Sequence, residues 1–224
     1  MLRKKNITLN GRKATGNEKL NTGDQIRLFL SDETFSKFSQ QEQTARAVTD
    51  LDIIYEDTDI LLINKPTGML SQPDDTKEPS MVEYLIGYLL QNGSLTEENL
   101  RTFHPSVCNR LDKNTSGVIA AGKSLAGLQE LSTLFHDRTV HKDYLCIVKG
   151  KLTRSRHIRG YLHKDANLNK VSVSPTKEKD AQPIETQYTP ICNNEHATLL
   201  KVRLITGRTH QIRVHMASLQ HPLL

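Results

Sequence analysis

Two chemistries compete for one short run, NRLDKNTSGVIAAGKS, residues 109 to 124. Its second half, Gly117 through Ser124, fits G-x-x-x-x-G-K-[ST], a loop whose backbone amides cradle phosphates. Its first half carries a lone carboxylate, Asp112, set between Arg110 and Lys113. An ionised carboxylate serves as nucleophile or general base, and keeping it ionised in a closed pocket requires a cation close by. His210 and His215 invite a metal reading. Their i, i+5 spacing puts them on different faces of a helix, with no cysteine or acid beside them, so no metal site is assigned.

Each chemistry needs particular elements around it. A phosphate loop needs a strand before its first glycine and a helix after its last residue. Here the polar Lys113–Ser116 precedes Gly117, while Val118-Ile119-Ala120-Ala121 reads as a strand inside the motif. Gly122-Lys123-Ser124 then reads as a strand end and a helix cap, and no nucleotide cofactor is expected. The carboxylate has a plainer alternative, a turn aspartate bonded to the amides of Asn114 or Thr115. The rest of the chain decides between them.

Residues 1–30 form a small unit: a strand at Ile7–Leu9, the turn signal Asn10-Gly11, a second turn at 21–24, and an alternating strand over 25–30. That is too little apolar material for a core of its own. The polar residues 31–50 read as a linker. The main domain, 51–224, opens with two strands, Asp52–Glu56 and Asp59–Asn64, joined by an acidic turn. Ser80-Met81-Val82-Glu83 is a capping box opening a helix to about Gln91. Ser124 caps a second helix, with Leu125, Leu128, Leu131, Leu134 and Phe135 on one face. Asp143–Lys149 is a strand, 151–180 a basic and poorly patterned stretch, Gln187–Ile191 and Thr198–Ile205 further strands, and Gly207–Leu219 a helix. Strands mixed with few helices, without strict βαβ alternation, indicate an α+β fold with a mixed, mostly antiparallel sheet.

Charge is distributed unevenly. Residues 1–40 carry net +4, 41–100 net −9 and 101–224 net +10, within a total of +5 over 224 residues. Two basic regions suit a polyanion such as nucleic acid. No apolar run approaches the roughly 20 residues of a membrane span, and no apolar segment follows the basic N-terminus. The three scattered cysteines, Cys108, Cys146 and Cys192, fit reduced thiols in a cytoplasmic protein.

Four stretches in order resemble the RluA-type pseudouridine synthases: Asn64-Lys65-Pro66-Thr67-Gly68; Arg110-Leu111-Asp112-Lys113-Asn114-Thr115-Ser116-Gly117; Lys142-Asp143-Tyr144; and Thr206-Gly207-Arg208-Thr209-His210-Gln211-Ile212-Arg213-Val214-His215. The resemblance covers about residues 51 to 224. Residues 1–30 are similar to part of an alpha-L RNA-binding module. The resemblance implies the pseudouridine-synthase fold with a central basic cleft, and isomerisation of uridine in RNA, in which the base leaves the sugar, rotates and rejoins through carbon, with no cofactor or metal. It gives Asp112 the nucleophilic or base role, Arg213 the salt bridge to it, and Tyr144 the aromatic that packs on the target base and assists proton transfer. Arg110 fills the gap left in the RNA. Arg208, His210, Lys142, Lys151, Arg154 and Arg156 are expected to contact RNA, with ribosomal RNA of the large subunit favoured over transfer RNA. A non-catalytic RNA-binding protein is the alternative. Asn109 stands where the family has His. The chain ends at His221-Pro222-Leu223-Leu224, where the family continues with G-D-x-x-Y-G, so it is read as truncated at both ends.

Overall fold

The computed structural model describes residues 6–31, 50–76, 78–165, 170–174, 176–177 and 181–224. The expected linker falls mostly on residues outside this set. The chain divides into two compact units, Met1–Ala45 and Arg46–Leu224.

The first unit holds β1 (Ile7–Leu9), β2 (Arg12–Lys13) and β3 (Ile26–Leu28), an antiparallel sheet in the order β2-β1-β3. Asn10 and Gly11 make the tight turn between β1 and β2, both at positive φ (50° and 78°). The Asn10 amide ties this turn to the next, donating to Asp24 Oδ1 and accepting from Gln25 N, both at 2.8 Å. Of its described apolar side chains only Ala14 is buried, while Leu20, Ile26, Leu28 and Phe29 are more than half exposed.

The second unit carries two antiparallel sheets. The first has the order β4-β5-β7-β6, from β4 (Ile53–Glu56), β5 (Ile60–Lys65), β6 (Ser106–Val107) and β7 (Gly117–Gly122). The acidic turn closes the β4–β5 hairpin because Asp57 Oδ1 accepts the amides of Asp59 and Ile60, both at 2.8 Å. Helix α1 (Met81–Gln91) begins at the predicted capping box of Ser80 and Glu83. It lays Met81, Leu85, Ile86 and Leu89 on the core of Leu61, Ile63, Ile119 and Ala121. A short α2 (Glu97–Leu100) follows, and α3 (Leu125–His136) packs on β7. The second sheet runs β10-β9-β11-β12-β8, from β8 (Lys142–Lys149), β9 (Arg156–Asp165), β10 (Lys170–Ser174), β11 (Gln182–Asn193) and β12 (Ala197–Leu204). Its core of Val148, Tyr188, Leu200 and Val202 is closed by Met216 of α4 (Gln211–Ser218). Among the described residues the one parallel pairing is the isolated bridge Leu70–Ser80, so the α+β expectation holds and the sheets are more uniformly antiparallel than expected.

Three expectations need correction. The basic stretch 151–180 contains the hairpin β9–β10 instead of irregular chain. Its inward positions include Gly160, whose absent side chain breaks the visible alternation. A Cβ there would meet Val173 Cγ1 at 2.9 Å and His215 Nε2 at 3.5 Å. Helix α3 buries Gly127 and Leu131 and leaves Leu125 and Leu134 exposed. Gly127 decides this, because a Cβ would sit 2.2 Å from Asp59 O, so the helix is seated by that glycine rather than by its leucines. Helix α4 starts at Gln211, not Gly207, since His210 adopts φ 57° and ψ 18°, which no right-handed helix contains.

The phosphate-loop match dissolves in the same geometry. Val118–Ala121 lies within β7, inside the motif. The start of α3 is taken by Asp59, whose carbonyl accepts the amides of Lys123 and Ser124 and whose carboxylate binds the Ser124 hydroxyl. An internal anion already stands where a phosphate would sit.

Candidate active site

Asp112 lies on the connection from β6 to β7, and every neighbour of that connection is fixed. Ser71, buried, donates from Oγ to Leu111 O at 2.7 Å and accepts from Leu111 N at 3.0 Å. Leu111 is itself in the core beneath α1. Asn109 bonds to β7 on both sides, from Nδ2 to Val118 O at 3.0 Å and from Ala120 N to Oδ1 at 2.8 Å. An amide thus makes two backbone bonds where the resemblance has an imidazole. On the other flank, Lys113 O accepts from Gly68 N at 2.8 Å and from Lys65 Nζ at 3.1 Å.

Lys65 is the residue that sequence reasoning left without a role. Its side chain is completely buried, and Nζ donates to Pro66 O and Met69 O, both at 2.8 Å, as well as to Lys113 O. All three ammonium protons are used. Burial pulls its pKa below the ordinary lysine value and the charge of Asp112 pushes it back up. The signal was present in the order of the letters, a lysine directly before proline and a positive-φ glycine at the end of a strand.

The turn reading of Asp112 is half right. Thr115 N donates to its backbone carbonyl at 2.9 Å, while its side chain turns to α4. There Arg213 Nε stands 3.6 Å and His210 Nδ1 3.8 Å from Asp112 Oδ2. Both side chains approach the same carboxylate oxygen, one from the residue before α4 and one from its first turn. These side chains line an open cleft of about 700 Å³, together with Arg110, Lys142, Tyr144 and Arg208. Tyr144 packs against the cores of both sheets, so it fixes one sheet's edge to the other at the cleft. Burial raises its pKa, and the nearby Asp112 charge adds to this. Lys142 has its pKa lowered, first by burial and then by the charge of Arg138. A Cβ at Gly207 would meet Lys142 Nζ at 2.9 Å, a contact the flexible end of the lysine can relieve by moving. Burial raises the thiols of Cys108 and Cys146, the latter to about 11, so neither is a ready nucleophile.

The remaining polar residues of the motif around Arg208 support it from below. Gln211, buried, accepts at Oε1 from Thr206 Oγ1 (2.9 Å) and Arg208 N (3.0 Å), and donates from Nε2 to Glu185 O (3.0 Å) and Thr186 Oγ1 (2.9 Å). Because Thr186 already accepts from Gln211, its hydroxyl proton is free for His215 Nδ1 at 2.8 Å. His215 and His210 therefore face opposite ways, and among the described residues no group of acids, histidines and cysteines is arranged to hold a metal. Burial lowers the His215 pKa from the ordinary 6.5 to about 4. The unfolded chain takes the proton first, so stability present above about pH 6.5 is lost as the pH falls toward 4. The loss is roughly 3 kcal/mol over that window. Urea unfolding at pH 7 and pH 4 should show this component in the native chain and lack it in His215→Asn. Equal acid losses in both would refute it.

Lys151, Arg154 and Arg156 are not among the residues that line the cleft. β8 runs about 25 Å from Lys142 to Lys149, and Lys151 lies just beyond its far end, bound to Glu195 at 2.6 Å. Arg156 opens β9 opposite Tyr188, and both it and Arg154 are exposed. Among the described residues no helix is long and apolar enough to cross a membrane.

Comparison with known proteins agrees with this geometry. Residues 59–218 match the family model described as RNA pseudouridylate synthase. The chain is 34% identical over 209 residues to the ribosomal large subunit pseudouridine synthase D of Borreliella burgdorferi, covering 88% of this chain and 61% of that protein. It is 31% identical over 179 residues to the protein of the same name from Zymomonas mobilis, covering 78% and 54%. It therefore spans little more than half the length of these relatives. The solved structure of human RNA pseudouridylate synthase domain containing 1 shares the fold, with a TM-score of 0.61 at 22% identity over 79% of this chain and 68% of the other. With three of the four motifs lining one cleft, the fourth supporting it through Lys65, and the family model covering residues 59–218, the chain belongs to the RNA pseudouridylate synthase family, in its RluA-type branch.

Proposed function

We propose that this protein isomerises uridine to pseudouridine in RNA, that Asp112 acts on the target nucleoside, and that large-subunit ribosomal RNA is the substrate class. The observation that carries this reading is Asp112 itself, a carboxylate aimed across a cleft at Arg213 and His210 with Tyr144 beside it. A base must leave its stack to reach such a carboxylate. Tyr144 offers a face for it, and Arg110, Lys142 and Arg208 give the cleft the charge to hold the surrounding phosphates. The names of the bacterial relatives support the ribosomal class. The three-stranded unit that comes first in the sequence is read as an accessory RNA-binding module.

The test is direct. The chain is incubated with transcripts of large-subunit ribosomal RNA and of transfer RNA, and pseudouridine is mapped. Conversion at discrete ribosomal sites is expected. Conversion of transfer RNA alone would overturn the substrate class, and conversion of neither would overturn the reaction. Salt titration separates the cations: replacing Lys142 and Arg208 should lower the salt slope of binding by about 2, one for each phosphate contact. An unchanged slope on replacing Lys151, Arg154 and Arg156 would remove those three from the RNA path.

A further inference from the structure

Turning uridine into its carbon-linked isomer requires a proton to change places. The N1–C1′ bond breaks and a C5–C1′ bond forms. C5 is left carrying both the sugar and its original hydrogen, with a double bond between C6 and N1. When the C5–H bond breaks, its electron pair restores the C5=C6 double bond, the former C6=N1 pair returns to nitrogen, and N1 takes up a proton. No oxidant or outside reactant enters. A group in the cleft must accept the hydrogen from carbon and can return it to nitrogen.

Resting on the functional reading above, we propose that His210 is that proton carrier, with Nε2 taking the C5 hydrogen and delivering a proton to N1. Three observations converge on it. Its Nδ1 is the ring nitrogen turned to the carboxylate, 3.8 Å from Asp112 Oδ2, so Coulomb attraction rather than a hydrogen bond draws the proton to that side and leaves Nε2 for the base. The imidazole is half exposed and lines the same cleft, so a bound base can meet it. Its backbone is held at φ 57°, a conformation that glycine adopts at no cost and that proteins tend to retain at functional sites. The hold comes from below, since the buried Gln211 side chain fixes Arg208 and the helix start around it.

The other groups facing the imidazole suit the task less. Asp112 is committed to the sugar or ring and lies 3.6 Å from the Arg213 guanidinium. Asp74, also on the cleft, has its pKa lowered by its bonds to Thr76, which makes it a weak acceptor. Tyr144, Cys108 and Cys146 hold their protons tightly because they are buried. Lys113, Lys142, Arg110, Arg208 and Arg213 contribute positive charge that stabilises the departing base.

His210→Asn tests this cleanly, because Asn is also tolerated at positive φ and cannot carry a proton near neutral pH. The substrate is large-subunit ribosomal RNA transcribed with ordinary or 5-deuterated uridine. The variant should convert about 100- to 10,000-fold more slowly at saturating RNA. It should show a C5 isotope effect of about 2 or more and a pH–rate profile that differs from the native one. Free imidazole should restore part of the rate to His210→Gly. A His210→Asn rate within about tenfold of native, or a slow variant with no isotope effect and the native pH profile, overturns the proposal. If the native chain converts the transcript and the variant matches it, only this inference falls. If the native chain makes no pseudouridine, the functional reading falls with it.

Discussion

Replacing Asp112 with Asn should lower uridine-to-pseudouridine conversion by about a thousandfold or more while RNA affinity stays within about twofold. Asparagine has the same shape and no charge, and the structure isolates that one change. The backbone at position 112 is held by Ser71 on one side and by Lys65 and Gly68 on the other, and its own carbonyl accepts from Thr115 N. None of these bonds uses the carboxylate. What the variant loses is the anion facing Arg213 at 3.6 Å and His210 at 3.8 Å. Both partners are about half exposed, so stability should change little. Pseudouridine mapping and filter binding on the same transcript measure both quantities. Conversion within about tenfold of native would sink the assignment.

Lys65→Met should cost about 3–5 kcal/mol of stability, the largest effect expected of any single change outside the apolar core. Methionine fills nearly the same volume but leaves the carbonyls of Pro66, Met69 and Lys113 without the ammonium they share. In a position with no solvent exposure, water cannot replace those bonds. Lys65→Arg should not restore stability, because a planar guanidinium cannot place three donors on these three carbonyls. A fall of roughly 10 °C in melting temperature is expected for a unit of this size. A shift under about 3 °C would show that the loops re-pair without the lysine. Lys113 adjoins Asp112, so whatever Lys65→Met chain remains folded should also turn over more slowly.

Much of this was legible from letters, and where it was not the reason is specific. The capping box at Ser80 and Glu83, the Asn10-Gly11 turn and the strand within Gly117–Ser124 depend on neighbours a few residues away, and each forms as read. Helix α3 and the β9–β10 hairpin were misread because glycines decide them. Gly127 seats one helix on Asp59, and Gly160 makes room for Val173 and His215. A glycine has no side chain to signal a face, and its fit is defined only by what packs over it. The left-handed His210 shortened α4 for a similar reason, since the Gln211 network that fixes its surroundings comes from β11, some 25 residues earlier.

By itself, the sequence determined the chemistry available: one carboxylate in a polar turn, a tyrosine, an arginine and basic flanks, in the order of a known family. The tertiary structure alone decided which charges meet. Lys142, Lys151, Arg154 and Arg156 look alike in sequence, and the length of β8 puts the first in the cleft and Lys151 at its far end. Lys65 stands in sequence only as a strand-end lysine of a family motif with no role attached, and three converging carbonyls make it a buried support of the Asp112 loop. Coulomb and hydrogen-bond energies fall off over a few ångströms, so roles of this kind depend on distances that chain order does not contain.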